Sequence, residues 1–575
     1  MLKDYYQQEL YKIKELARDF AKHYPVLAPL LGERGDPDTE RLLEGFAFLS
    51  GQLQARMDNN LPQVYAGLAQ LFYPQILRPY PSATTMQFQA STLLGKPIAI
   101  PAETTVKSIT LENQNCLFRT THAISVEPLS LSDVKYDTDT LGHTMIALQF
   151  ELLGVKLNAW NASDVVLHLP GEWESATQLY HTLLNDVDHL VLKAANTPDC
   201  ILPAKALRIY QDAFDVSLYP QPTNANNAFR LLQEYFIFPR KFLYVELTQL
   251  ASWLNRSDAT QFRIELHLKP QAVAPKTTLT ADHIRIHCIP AVNISESLAE
   301  PFLLNYRLED YRLESTHENN PYHQIFDLQQ VTGYQQGLAT PIEYQRLFFE
   351  KIASPHYEVH YRHGVSTENW DYFLSFASSD FNDENRQQTI SSRILICNGK
   401  LPEHLLPGEI NQATSNTPER VTFKNIDLPS RYVPPKMGAD FLWQVQGLLT
   451  LNYVPFLDAA RLNTLFQLFS PPVETQSTNF SRKGLQGLER FTIDPCERLV
   501  YGEALTGQAI TLVCNGNWFI GNGDLYLFGQ VLWQFFNANT PIGSFYTLRL
   551  INSAADDIWT WEPILTQAIR QQTYR

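Results

Sequence analysis

The opening of the chain repeats its hydrophobic positions at the period of a helix. Tyr6, Leu10, Ile13, Leu16, Ala17 and Phe20 share one helical face. Leu42, Phe46, Leu49, Leu53 and Met57 do the same, and Leu43 and Phe48 widen that face beyond a coiled-coil seam. Asp38 or Thr39 can cap the start of this second helix, because a short side-chain oxygen accepts a free backbone N–H there. Asp58, Asn59 and Asn60 suit its end. Pro62 then stands where the first turn of a third helix needs no N–H. Val64, Tyr65, Leu68, Leu71 and Phe72 form the third stripe, and Pro74 stops it. Packing is the only chemistry these helices offer.

Pro79 and Pro81 make a stiff extended connector, Arg78–Ser82, suited to set an angle between the helices and the β-rich region beyond it. From Thr84 the period changes to two. TTMQFQA, CLFRTTHA, TMIALQFELL and DVVLHLP read as strands between turn residues. A helix around Ala176–Leu184 interrupts them. In QFRIELHL, Phe262, Ile264, Leu266 and Leu268 face one way, and Arg263, Glu265 and His267 the other. HIRIHCI, HYEVHYR, DYFLSFA and SSRILICNG continue as strands. Helical spacing returns in LDAARLNTLFQLF and in GDLYLFGQVLWQFF, where Leu525, Phe528, Val531, Leu532 and Phe535 share a face. GSFYTLRLIN reads as a last strand. Asn411–Arg420 is nearly free of core formers and is the linker candidate. The expected fold is α+β: an N-terminal amphipathic helical segment (1–80), two β-rich domains (81–275 and 276–410) and a mixed α/β C-terminal part (411–575).

Composition narrows the function. Charged residues are 18% and aromatics 12% of 575, a balance found in buried interfaces as well as in cores. The net charge of −15 comes without any basic run, which argues against nucleic acid. No stretch has the length and apolarity of a membrane span, and the polar start MLKDYYQQEL does not read as a secretory signal. Six scattered cysteines without a C-x-x-C pair read as free thiols in a reducing compartment.

The catalytic motifs are missing. The sequence contains no phosphate loop, no G-x-S-x-G elbow, no H-E-x-x-H helix and no dinucleotide fingerprint. GNGDLYLFG reads as a loop and helix start. His356, Glu358 and His360 would share a strand face, but about 7 Å apart at each step, too far for one ion without a second element. His363, His283 and His287 add no better cluster. Glu309 and Asp310 are adjacent, so on a strand they point apart and make no acid–base pair. The expectation is no catalytic residue, no cofactor and no metal.

Several blocks of the chain match those of one known family. Tyr5, Tyr6, Glu9 and Leu10 open the first helix as in that family. Arg41, Leu42, Glu44, Gly45, Phe46, Ala47, Phe48 and Leu49 match its R-L-x-E-G-F-A-F-L block. Tyr73, Pro74, Pro79, Pro81 and Ser82 match its exit. Glu234, Tyr235, Phe236, Phe238, Pro239, Lys241 and Phe242 resemble its L-x-E-Y-F-x-F-P-x-K-F block. Cys288, Pro290 and Asn293 resemble N-C-V-P-x-V-N, with His287 in place of Asn. CNGKLP, Trp443, Leu451 and Asn452, and the YLFGQVLWQFF end are similar to later blocks, with Gly543 where Asn is usual and Thr506-Gly507 where Arg-Gly is frequent.

Together these blocks resemble the TssF (VasA/ImpG) family of type VI secretion baseplate subunits, and the resemblance spans essentially the whole chain. It implies a structural wedge protein without catalysis, located in the cytoplasm at the inner face of the bacterial envelope. The implied partners are TssG (two copies of this chain per TssG), TssK, TssE and the VgrG hub, with no nucleic acid and no membrane insertion. The opening helices then belong to a bundle shared between chains. The interface candidates are Leu42, Phe46, Leu49, Leu53 and Met57, with Phe528 and Phe535 on the C-terminal helix. A β-rich ligand- or effector-binding adaptor is the alternative, and a metal enzyme built on His356–His363 a third reading.

Overall fold

The computed structural model describes residues 2–23, 37–38, 40–52, 74–90, 95–138, 142–221, 227–272, 278–316, 322–335, 340–347, 355–363, 370–376, 387–435, 459–470, 487–500, 503–541 and 543–563. They fall into two compact units, one within Met1–Leu77 and the other comprising Arg78–Pro435 and the described residues from 459 onward. The third predicted helix (62–73), the end of the second, and the Trp443–Asn452 block lie outside the described residues.

The first unit pairs the helix Leu2–His23 with a helix over 40–52. Lys14 Nζ reaches Glu40 at 2.7 Å, Ser50 Oγ donates to Glu9 at 3.1 Å, and the Tyr6 and Phe48 rings meet edge-on at 6.4 Å. Small residues, Ala47 and Gly51, are buried on the 40–52 helix.

The second unit is α+β and discontinuous. Its six-stranded sheet runs in the order Ile410–Ala413, Thr105–Leu111, Gln114–Thr120, Cys288–Val292, Ala83–Ala90, Val421–Asn425. Strands from distant parts of the chain thus lie side by side, across the boundaries expected at 275 and 410. The expected linker Asn411–Arg420 is part of this layer. Ile410–Ala413 pairs with Thr105–Leu111, and Asn416 Oδ1 accepts from the Thr105 N–H (3.1 Å) and its hydroxyl (2.6 Å). Its polar sequence reflects hydrogen bonding at a sheet edge. The Arg78–Ser82 connector is likewise pinned. Arg78 bonds Asp327 and the Pro220 carbonyl, Tyr80 and Val433 form a bridge, and Tyr219 Oη donates to the Pro81 carbonyl at 2.8 Å.

A second layer holds Gln261–Leu268 between Val187–Ala194 and Thr144–Leu152, with Phe262, Ile264, Leu266 and Leu268 buried as the alternation predicts. An eight-stranded sheet curls around its own core, which includes Val331, Tyr344, Val359, Leu374, Ile390 and Ile394. An isolated bridge between Ala299 and Ser315 joins the ends of its strand order. HIRIHCI is two short strands broken at His287, whose φ of +56° suits Asn or His far better than a branched residue. His287 Nε2 accepts the Glu127 N–H at 3.1 Å. Asn293 and Asn398, from two separate sequence blocks, meet in the core: the Asn293 amide donates to Asn398 Oδ1 and accepts the Asn398 backbone N–H, each at 2.8 Å.

At the C-terminal end, Glu503–Cys514 and Tyr546–Asn552 pair in parallel, which requires a crossover. The helix Gly521–Ala538 supplies it. Glycines set its packing distance. A Cβ on Gly523 would stand 2.3 Å from the Thr177 backbone of the helix Trp173–Asn185, and one on Gly529 would stand 2.5 Å from the Trp561 ring. Asp524 accepts Trp173 Nε1–H and the Ile520 N–H, both at 3.1 Å. Burial nevertheless raises its carboxyl to about 7, and these two bonds only partly offset that.

Charge is also buried on the helix Asn227–Ile237 and the turn after it. Glu234, Arg230 and Lys241 form one cluster, at 0%, 5% and 2% exposure. Glu234 accepts the Leu218 N–H at 2.7 Å, while Lys241 and Arg230 both donate to the Val216 carbonyl. Burial draws Lys241 down to about 8 despite the Glu234 charge. The cluster clamps the 214–218 segment, and removal of one partner would leave an uncompensated buried charge.

Gly523→Ala is expected to cost roughly 1–3 kcal/mol by overpacking, seen as a lower thermal midpoint. Asp524 also imposes a pH dependence. The folded chain keeps this proton up to about pH 7, whereas the unfolded chain releases it near 3.8. The stability it contributes is full below 3.8 and lost as pH rises through about 7. Denaturant titrations across that window should show Asp524→Asn abolishing a slope of up to about 1.4 kcal/mol per pH unit.

Candidate docking interface

On the 40–52 helix, one turn brings i, i+3, i+4 and i+7 onto a common face. Leu42, Gly45, Phe46 and Leu49 occupy such a set. Leu42 is 74% exposed, Phe46 63% and Leu49 58%. The opposite face carries Glu40, bonded to Lys14, and the buried Ala47 and Gly51. The large apolar side chains therefore point away from the first helix. Gly45, in the middle of the outward stripe, has open space where a Cβ would stand. A helix presenting such a stripe to water needs a cover to realise the burial energy of its side chains.

The other candidates fall elsewhere. Leu53 and Met57 lie outside the described residues. Phe528 and Phe535 are core residues of the second unit, 3% and 1% exposed. Phe528 packs on Tyr235 (5.9 Å), Phe466 (5.5 Å) and Phe519 (5.5 Å), and Phe535 on Phe229 (5.7 Å). Their helix is enclosed nearly all round, so the apolar face read from sequence is filled by this chain's own rings, which leaves little of either ring for a partner.

Among the described residues, no group of three or more His, Cys, Asp and Glu side chains is placed to hold a metal ion. His360 bonds Ser375 at 2.9 Å and lies 3.8 Å from Asp310 and 3.7 Å from Glu358, on the outer polar side of its strand. No described helix is long and apolar enough to cross a membrane. Sequence reasoning does not single out the buried Glu234–Lys241–Arg230 cluster as a unit. Part of its signal is present in LLQEYFIFPRKF, where Glu234 and Lys241 stand inside an aromatic run; Arg230 lies just before it.

A family model described as Type VI secretion system, TssF matches residues 1–568. The chain belongs to the TssF family. TssF1 of Pseudomonas aeruginosa, a type VI secretion system component, is 25% identical over 623 aligned positions, covering 98% of each chain. The TssF fold is also evident from solved structures. A chain in the TssK-TssF-TssG baseplate subcomplex, determined by cryo-electron microscopy, superposes with a TM-score of 0.77 at 24% identity, over 92% of this chain and 99% of that one. A chain of a type VI baseplate complex gives 0.59 at 19% identity, over 98% and 99%. Residues 41–49 lie on the 40–52 helix, with Leu42, Gly45, Phe46 and Leu49 outward and Ala47 buried, and the block around Glu234 supplies Glu234 and Lys241 of the buried charge cluster.

The two sets of phenylalanines should separate in the isolated chain. Phe46→Ser is expected to change unfolding free energy by no more than about 0.5 kcal/mol. Phe528→Ala should cost about 3–5 kcal/mol. Chemical denaturation of both variants checks this.

Proposed function

We propose that this chain is a structural wedge subunit of a type VI secretion baseplate and that the Leu42–Gly45–Phe46–Leu49 face docks a helix of a neighbouring subunit. The exposed apolar stripe on a helix whose opposite side is already packed carries this reading, and family membership over 1–568 supports it. Leu53 and Met57 continue the same stripe in sequence. The solved complex with TssK and TssG supports those two proteins as neighbours. TssE and the VgrG hub complete the proposed wedge, with two copies of this chain per TssG, assembled in the cytoplasm against the inner face of the envelope.

The role is mechanical and involves no catalysis. A baseplate holds the contractile sheath until firing and then rearranges. Permanent contacts of that kind bury roughly 2,000 Å² or more. An apolar helix face fits such a contact, because its burial needs no partner for a desolvated polar group.

Co-expression with TssG, followed by light scattering on the eluted complex, tests the proposal. A mass of two copies of this chain per TssG is expected. Phe46→Asp should abolish co-elution while leaving the circular dichroism of the chain unchanged. A complex that survives Asp at that position would remove the docking face from the proposal. A chain that ignores TssG altogether would remove the wedge assignment.

A further inference from the structure

The C-terminal sheet pairs only with itself. Its strands are Leu488–Val500, Glu503–Cys514, Tyr546–Asn552 and Ile558–Trp561. Among the described residues, no strand pairing or other backbone hydrogen bond joins it to the rest of the second unit. Its crossover helix Gly521–Ala538 instead lies against the helices Trp173–Asn185 and Asn227–Ile237. Rings supply the apolar contact, with Phe528 on Tyr235 and Phe535 on Phe229. Side chains supply the polar one. Trp173 Nε1–H donates to Asp524 at 3.1 Å, Trp559 Nε1–H to His181 Nε2 at 3.0 Å, and Gln534 Nε2–H to Gln211 at 3.4 Å. A part held by side chains rather than by a strand ladder can open on its own, at less than the cost of unfolding the whole.

Asp524 sits where this seam is tightest, next to Gly523 and its close approach to the Thr177 backbone. It is 1% exposed, and no Lys, Arg or His among the described residues pairs with it. The titratable groups around it bring no positive charge. Tyr235, across the seam, and Tyr180 have phenols that burial holds neutral, and burial also raises Tyr526. Asp557 accepts from the Asn522 amide at 2.6 Å, and Glu172 and Glu174 at the start of the facing helix are exposed. At the far end of that helix, His181 stands 3.7 Å from Asp186, and Lys269 donates to the Asn185 carbonyl at 2.6 Å. A carboxylate closed into such a seam loses its water and gains no counter-charge, so the docked state favours the protonated acid. Once the helices part, the same carboxyl meets water and ionises freely.

We propose that the crossover helix and its sheet dock on the helix Trp173–Asn185 as a separable part, and that the proton on Asp524 is the latch. The aromatic contacts provide the attraction, and Asp524 modulates it. Ionisation leaves a charge between two helices, and parting the helices hydrates it. The docked carboxyl keeps its proton up to about pH 7, whereas the free one loses it near 3.8. The open form therefore gains population as pH rises through that window, by up to about tenfold per unit for one proton, and levels off above it. Near neutral pH the seam is close to its weakest, so the C-terminal part is the piece of this unit set to shift first.

Hydrogen exchange of the full-length chain tests this, read peptide by peptide from about pH 5.5 to about 8 and corrected for the intrinsic pH dependence of exchange. The helices Trp173–Asn185 and Gly521–Ala538 should exchange together, and faster than the strands Ala83–Ala90 and Cys288–Val292. Their protection should fall by up to about tenfold per pH unit toward neutrality and then level off. Asp524→Asn, which has no proton to lose, should flatten that profile. Seam helices that exchange no faster than the sheet at any pH would overturn the separable part. A slope that persists in Asp524→Asn would overturn the latch. So would wild-type seam protection that does not change with pH, a result that decides the matter even if the variant does not fold.

Discussion

The second unit depends on Ala83–Ala90 being paired on both edges. Cys288–Val292 holds one side of this strand and Val421–Asn425 the other, and six of its eight residues are buried. A buried strand cannot leave its N–H and C=O groups unpaired. The chain must therefore return twice, from widely separated positions, before this sheet is satisfied. The Asn293–Asn398 pair and the pinned Arg78–Ser82 segment both lie around those returns. The sheet order is a consequence of that requirement.

Local pattern made much of this fold legible. Period-two stretches became strands, as at Gln261–Leu268, and period-3.6 stretches became helices, as at Gly521–Ala538. Topology was not legible, because nothing in Val421–Asn425 says that its partner lies hundreds of residues upstream. Asn411–Arg420 looked like a linker because a polar strand at a sheet edge and a solvated connector share a composition. His287 was hidden for a different reason. A single residue with positive φ leaves no trace in a hydrophobic pattern.

Of the candidate interface, the stripe was readable and its exposure was not. Leu42 and Phe528 look alike as helical apolar positions, yet one is open to solvent and the other is enclosed by rings. What separates them is the supply of neighbours. The Gly521–Ala538 helix is a crossover inside a sheet layer and meets helices on other sides, so every face finds a cover at home. The 40–52 helix uses Ala47 and Gly51 toward its one described companion and leaves the bulky side outward. Small residues, with Phe48 at one edge, face the companion helix, while Leu42, Phe46 and Leu49 stay outward.

The return of Val421–Asn425 to Ala83–Ala90 also has a consequence for biosynthesis. The second strand partner is made about 330 residues after the first strand, which at 5–20 residues per second is roughly 20–70 seconds of translation. Throughout that interval the nascent chain carries a strand with an open edge, a template for pairing with another strand. The exposed edge of residues 83–90 is thus a hazard of synthesis, closed in the folded chain by Val421–Asn425.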